Sequence, residues 1–307
     1  MQRAYIMALY DLIKEDSKVV SILSDSGTDY DEMIANEFPN QCLNVGIAEQ
    51  NQVAVAAGMA TCGYKPFVYT SGAFLAYRAY EFIRVDVCMQ NRNVNIIGMG
   101  SGLSWGTLGP THHTTEDISV LRSMPNLTIL SPATPLEVSQ CVKVAYEIDG
   151  PVYIRIEMSN ERELYGSDYK FNIKENPIIR DGKDGVLFVT GSIISVAVDV
   201  CNMLSEKGLE IGIVNVHTIK PANDKRIANV LKDAPIAFSL EEHNVIGGLG
   251  SMISEIIAKE CINTPFHSIG LNDKFACGYG THAEVLSQNG LDSLTVMNQI
   301  AGWMGKK

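Results

Sequence analysis

Short apolar runs alternate with longer helical stretches along nearly the whole chain, and this alternation most restricts the fold. Val19–Leu23, 65–69, 94–99, 127–130 and Val152–Ile156 read as strands. The segments 1–16, 47–60, 74–90, 115–124 and 137–148 read as helices around them. Strands separated by helices pair in parallel, since each crossover returns the chain to the same end of the sheet. A second series follows, with strands at 186–190, 211–216, 236–240 and 266–269. Its helices are 194–207, 224–232 and 250–258, and the tail 282–304 is helical. Residues 160–184 are more polar and aperiodic, as a crossing between domains would be. The expected fold class is α/β, with two domains, each a mostly parallel sheet covered by helices. A chain of 307 residues is long enough for both.

A net charge of −11 argues against a nucleic-acid or anionic-membrane surface, though not against a small anionic substrate held by a few local cations. No apolar run reaches the roughly 18–20 residues of a membrane span. The N-terminus lacks a signal-peptide layout, so a cytoplasmic location is expected. The seven cysteines are scattered and form no C-x-x-C, which points to reduced, buried thiols rather than disulfides or zinc.

The run from Ile47 to Ala60 is rich in Ala and Val and carries one charge, Glu49. It reads as a helix buried on most sides, with Asn44 as its N-cap. A buried carboxylate must be paired, hydrogen-bonded or protonated. Glu49 is therefore either a first-turn acid favoured by the helix dipole or a proton donor and acceptor for a ligand. The turn Ser24-Asp25-Ser26-Gly27 follows the first strand, where ligands gather in open α/β sheets.

Phe74, Tyr77 and Tyr80 recur at three-residue spacing on the next helix, either as core or as a platform for a flat aromatic ligand. The loop 107–117 holds adjacent His112 and His113, which either line a turn or exchange protons near neutral pH. In the second domain, the stretch 239–244 sits at a strand end. Gly247-Gly248-Leu249-Gly250 then precedes a helix, and a tight strand-to-helix turn explains it better than a phosphate cradle.

Together these stretches resemble the C-terminal half of transketolase: a pyrimidine-binding domain followed by a small C-terminal domain. The matching segments are Gly46-Ile-Ala-Glu-Gln50, Tyr69-Thr-Ser-Gly-Ala-Phe-Leu-Ala-Tyr77 and Gly109-Pro-Thr-His-His113. Further matches are Pro125-Asn-Leu-Thr-Ile-Leu-Ser-Pro132, Thr218-Ile-Lys-Pro221 and 241–250. The resemblance implies domains at 1–165 and 185–307, with a linker at 166–184. It implies thiamine diphosphate as cofactor, with Glu49 hydrogen-bonded to N1′ of the aminopyrimidine so that the ring's amine can relay a proton. It implies that Phe74 stacks on that ring and that Tyr77 and Tyr80 border its amine side. Asp25 and Ile47 are assigned to cofactor contact with them. His112 is implied as a catalytic group facing the donor sugar, with Arg3, His112 and His113 as substrate-binding residues.

The family holds diphosphate and Mg²⁺ with a G-D-G motif and a later Asn, and no G-D-G occurs here. The expectation is a split enzyme. A separate N-terminal subunit supplies the diphosphate and Mg²⁺ site, this chain contributes no metal ligand, and the assembly is α₂β₂. The expected reaction moves a two-carbon ketol unit from a ketose phosphate to an aldose phosphate. Leu108 stands where transketolases carry an Asp, and Met158 lies where an Arg grips the sugar phosphate. Rival readings are the β subunit of a 2-oxo-acid dehydrogenase E1, a deoxyxylulose-phosphate-synthase-like enzyme, or a non-catalytic interaction subunit.

Overall fold

The computed structural model describes residues 1–25, 29–158 and 162–305. Ser26 and Gly27 of the predicted polar turn lie outside these residues. The chain forms two compact units. One is Met1–Ser101 with Val120–Phe171; the other is Gly102–Ser119 with the chain from Asn172 onward. By its contacts, the loop carrying His112 and His113 thus belongs to the second unit.

The strands of the first unit are β1 (Val19–Leu23), β2 (Cys42–Asn44), β3 (Lys65–Ser71), β4 (Asn95–Met99), β5 (Thr128–Leu130) and β6 (Val152–Ile156). They lie in the order β5-β6-β4-β3-β1-β2, and every neighbouring pair is parallel. β1, β4 and β6 are buried along their whole length, as strands covered on both faces must be. The helices up to residue 147 are α1 (Gln2–Glu15), α2 (Asp29–Glu37), α3 (Glu49–Thr61), α4 (Tyr80–Phe82), α5 (Asp117–Arg122) and α6 (Pro135–Glu147). Thr134 caps α6 by accepting the Glu137 N–H, with Pro135 at the first helical position, where its missing N–H costs nothing.

The predicted helix over 74–90 is not regular. Phe74–Arg78 and Ile83–Cys88 are wide π turns on either side of α4. Such turns carry i→i+5 bonds and gather at functional sites.

The second unit contributes β7 (Ile178–Arg180), β8 (Gly185–Thr190), β9 (Ile211–Asn215), β10 (Thr218–Lys220), β11 (Ala237–Asn244) and β12 (Phe266–Leu271). Its five-stranded sheet has the order β12-β11-β8-β9-β7, parallel except for β7 on β9. β7 falls in the segment read as an aperiodic crossing, because a three-residue edge strand carries too little pattern to show. The helices are α7 (Ile194–Glu206), α8 (Asp224–Asp233), α9 (Leu249–Lys259), α10 (His282–Gln288) and α11 (Ser293–Trp303). The predicted continuous tail helix breaks at Gly290, whose φ is +75°, and restarts where Asp292 caps α11 through the Thr295 N–H. Among the described residues, no helix is long and apolar enough to cross a membrane.

Candidate functional site

In the first unit the chain leaves β1 outward to β2 and returns past β1 to β3 by way of α3. The carboxyl ends of β1 and β3 therefore flank the point where the winding reverses, which is where open α/β sheets bind ligands. α3 begins at this point. The Gln52 side-chain amide donates to the carbonyls of Ile22 (2.6 Å) and Tyr69 (3.2 Å), tying the helix across both strand ends. Glu49 lies three residues earlier, on the same face, and is 1% exposed.

The predicted N-cap is corrected: α3 is preceded by Ala48 with no side-chain cap. Asn44 instead ties together the turns after β1 and β2. Its Oδ1 accepts the N–H groups of Asp25 (3.1 Å) and Gly46 (2.9 Å), and its amide donates to Asp25 Oδ1. Ser24 completes the join, donating to the Gly46 carbonyl and accepting the Ala48 N–H. Gly46 has φ +75°, and a Cβ added there would meet nothing within 4 Å, so the backbone conformation, not space, requires glycine.

The expectation that α3 is buried on most sides is also corrected. Glu49, Gln52, Val53, Ala56 and Ala57 are buried, while Val55, Gly58 and Met59 on the other side are part or fully exposed.

The first wide turn brings its residues toward Glu49. Arg78 Nη1 is 2.7 Å from Glu49 Oε2, and the Arg78 guanidinium lies 4.5 Å from the centre of the Phe74 ring. Phe74 and Tyr80 are half-buried, and Tyr77 is exposed. Arg78 and Gln52 were not foreseen from sequence. The available signal for Arg78 was a cation four residues after an aromatic, a spacing that stacks the two on a helix face.

The other predicted residues of this unit lie at the surface. Asp25 is exposed and bonded to Asn44, Ile47 is 74% exposed, and Arg3 is exposed. Met158 is half-buried, and Arg155 is buried within β6.

In the second unit, the histidine loop is fixed by backbone bonds and by β11. Gly102 and Thr114 exchange N–H···O bonds of 3.0 and 2.9 Å, and the Asn244 N–H donates to the Thr115 carbonyl at 2.8 Å. Glu242 accepts the Leu103 N–H and lies 2.8 Å from His282 Nε2. His113 is buried, and burial lowers its pKa against the opposing pull of Glu242. His112 is half-buried, with Nδ1 3.0 Å from Thr111 Oγ1. Leu108 is exposed.

The glycine turn before α9 is structural. Glu241 accepts the N–H groups of Leu249 (2.7 Å) and Gly250 (2.8 Å), so a carboxylate of the chain itself fills the helix N-terminus that an anion would use. A Cβ at Gly248 would collide with that carboxylate.

Residues 1–163 match the transketolase pyrimidine-binding domain and residues 175–293 the transketolase C-terminal domain. The chain is 35% identical over 287 residues to an apulose-4-phosphate transketolase subunit of Actinobacillus succinogenes, covering 93% of this chain and 92% of that protein. It is 34% identical to 1-deoxy-D-xylulose-5-phosphate synthase of Bacillus velezensis, covering 94% of this chain but 46% of the synthase. A solved split-gene transketolase, described as an inactive β4 tetramer, superposes with a TM-score of 0.90 at 32% identity, over 98% of this chain and 97% of that one. With both domains matched in order and a subunit-length relative aligned almost end to end, the chain belongs to the transketolase family.

Proposed function

We propose that this chain is the pyrimidine-binding subunit of a two-polypeptide, thiamine-diphosphate-dependent transketolase. The observation that carries the reading is Glu49, a carboxylate buried at the switch point and within one guanidinium of the Phe74 ring. The donor set fits an aminopyrimidine. It offers a carboxylate for a ring N–H, an aromatic face for stacking, and the Gln52 Oε1, a buried acceptor with no hydrogen-bond partner among the described residues. When bound, the cofactor supplies a thiazolium carbon nucleophile. Glu49, a buried carboxylate, would accept the N–H at the pyrimidine N1′ and so favour the ring form that carries that proton. Phe74 orients the ring, and Gln52 keeps the first turn of α3 fixed against β1 and β3. Tyr77, Tyr80, Asp25 and Ile47 are proposed to contact the cofactor at the edge of this site. His112 is proposed to hydrogen-bond the donor sugar and move protons there, with His113 and Arg3 as further substrate-binding residues, Arg3 for its phosphate.

The outward face of α3 supports a partner subunit. It presents Asn51, Val55, Gly58 and Met59 and no charge, and Leu43 and Ile47 are also exposed. Such a surface belongs under another polypeptide. That polypeptide is proposed to hold the diphosphate and Mg²⁺, in an α₂β₂ assembly. The apulose-4-phosphate activity of the Actinobacillus relative favours a sugar-phosphate substrate outside the common pentoses, as does Leu108 in place of a hydroxyl-reading Asp. The synthase similarity keeps a pyruvate-using reaction as the second reading.

The test is reconstitution with a separately expressed chain that carries G-D-G and a downstream Asn. Ketol transfer from xylulose 5-phosphate or a branched ketose phosphate is expected only from the pair. Turnover of pyruvate instead would select the second reading, and full activity of this chain alone would overturn the split.

A further inference from the structure

We propose that Arg78 is an internal competitor for the aminopyrimidine and thereby sets the affinity for the cofactor. The inference rests on the pyrimidine-site reading above. The Arg78 side chain is 42% exposed, while the Glu49 side chain it meets is 2% exposed. A carboxylate that deeply buried needs a countercharge or hydrogen-bond donors when no ligand provides them. Arg78 provides both, and in doing so takes the two groups the ring would use: the Glu49 carboxylate at 2.7 Å and the Phe74 face at 4.5 Å. The guanidinium suits this role because it is flat, delocalised and rich in N–H donors, and it stacks on aromatic rings. It therefore imitates a protonated aminopyrimidine. Its arm already reaches solvent, and it sits on a wide π turn, so the head can leave without unpacking the core. The same residue keeps the ligand-free site ordered and must withdraw before a ring can stack on Phe74 and meet Glu49. The apparent affinity then falls by the fraction of molecules in which Arg78 has withdrawn.

The test uses thiamine and the purified full chain, since thiamine carries the pyrimidine ring without needing the diphosphate site. Calorimetric titration is expected to show Arg78→Met binding thiamine at least about tenfold more tightly than wild type, as a closed fraction above nine-tenths requires. Arg78→Lys should fall between them. Without ligand, Arg78→Met should melt at a lower temperature than wild type, and thiamine should raise its melting point more. If Arg78→Met does not fold, Arg78→Lys, which keeps the charge, carries the same comparison. Equal or weaker binding by the variants, or no binding by any form, overturns the proposal. Glu49→Gln and Phe74→Ala, each added to Arg78→Met, separate the two failures. If they still weaken thiamine binding, the pyrimidine site stands and only the competitor role falls; if they change nothing, the pyrimidine site falls as well.

Discussion

Glu49 and Glu241 occupy comparable places in the two units, and they are used in opposite ways. Each is buried near the carboxyl end of its sheet: Glu49 opens α3, and Glu241 lies on β11 with its side chain at the start of α9. Glu241 is bound by two backbone N–H groups of α9 and lies 3.6 Å from buried His243. Glu49 meets instead, among the described residues, one side chain that is nearly half in water. A carboxylate satisfied by backbone cannot be given to a ligand without unmaking a helix end. A carboxylate satisfied by a surface arginine can change partners. The contrast shows that topology supplies a possible site twice, and that the nature of the carboxylate's partner decides which one is available.

The contrast breaks most visibly if Glu49 can be neutralised without consequence. In the reconstituted enzyme, Glu49→Gln should lower kcat by about 10²–10⁴-fold, the usual range for losing a proton-transfer group. Its unfolding midpoint should move little, because the amide still fills the space. Unchanged turnover would make Glu49 as structural as Glu241.

Acid should separate the units next. His217, in the second unit, is buried, and burial lowers its pKa to about 3. The unfolded chain takes up a proton near the ordinary histidine pKa, whereas the folded one does not until far lower. Stability is therefore full above about pH 6.5 and falls as the pH drops toward 3, by up to roughly 4 kcal/mol. Urea unfolding across that range should show the slope, and His217→Asn should flatten it.

Glu241→Ala should cost about 2–3 kcal/mol in chemical denaturation by stranding two buried N–H donors. Activity per folded molecule should persist, the reverse of the Glu49 result. Loss of thiamine binding on this substitution would contradict a purely structural Glu241.

The smallest effect concerns thiols. Burial pushes the Cys141 thiol up, and Cys201 up to about 12, in α6 and α7. The expectation of buried thiols is corrected at Cys62, Cys261 and Cys277, which are exposed: a thiol reagent at pH 8 should modify them in the native chain and leave Cys88, Cys141 and Cys201 until unfolding. Early labelling of Cys201 but not Cys141 would identify the second unit as the one that opens first.

How much of this was legible depended on the range of the interactions involved. Strands such as Val19–Leu23 and Val152–Ile156 stood out because burial on both faces requires an unbroken apolar run. Glu49 stood out as the one charge in an apolar helix. The wide turns around α4 did not, since periodicity assumes the ordinary helical spacing. β11 looked like a strand ending before Glu241, because Glu-Glu-His-Asn reads as loop. Its polar side chains are buried because their partners come from far along the chain, the Leu103 N–H on Glu242 being 139 residues distant. Asn44 looked like a cap for α3 because its real partners, across two turns, have no sequence signature.

The sequence by itself determined two mostly parallel α/β units, the helix with its lone acid, and the aromatic and histidine segments. These follow from local patterns of burial and backbone freedom, which any fold of the chain must respect. Only the tertiary structure decided that Arg78 lies on Phe74 and pairs with Glu49, that Gln52 clamps two strand ends, and that Glu241 closes its own helix. Those facts depend on which side chain first reaches a buried charge once the strands are in register. Between groups distant in sequence, that is settled by geometry rather than by composition.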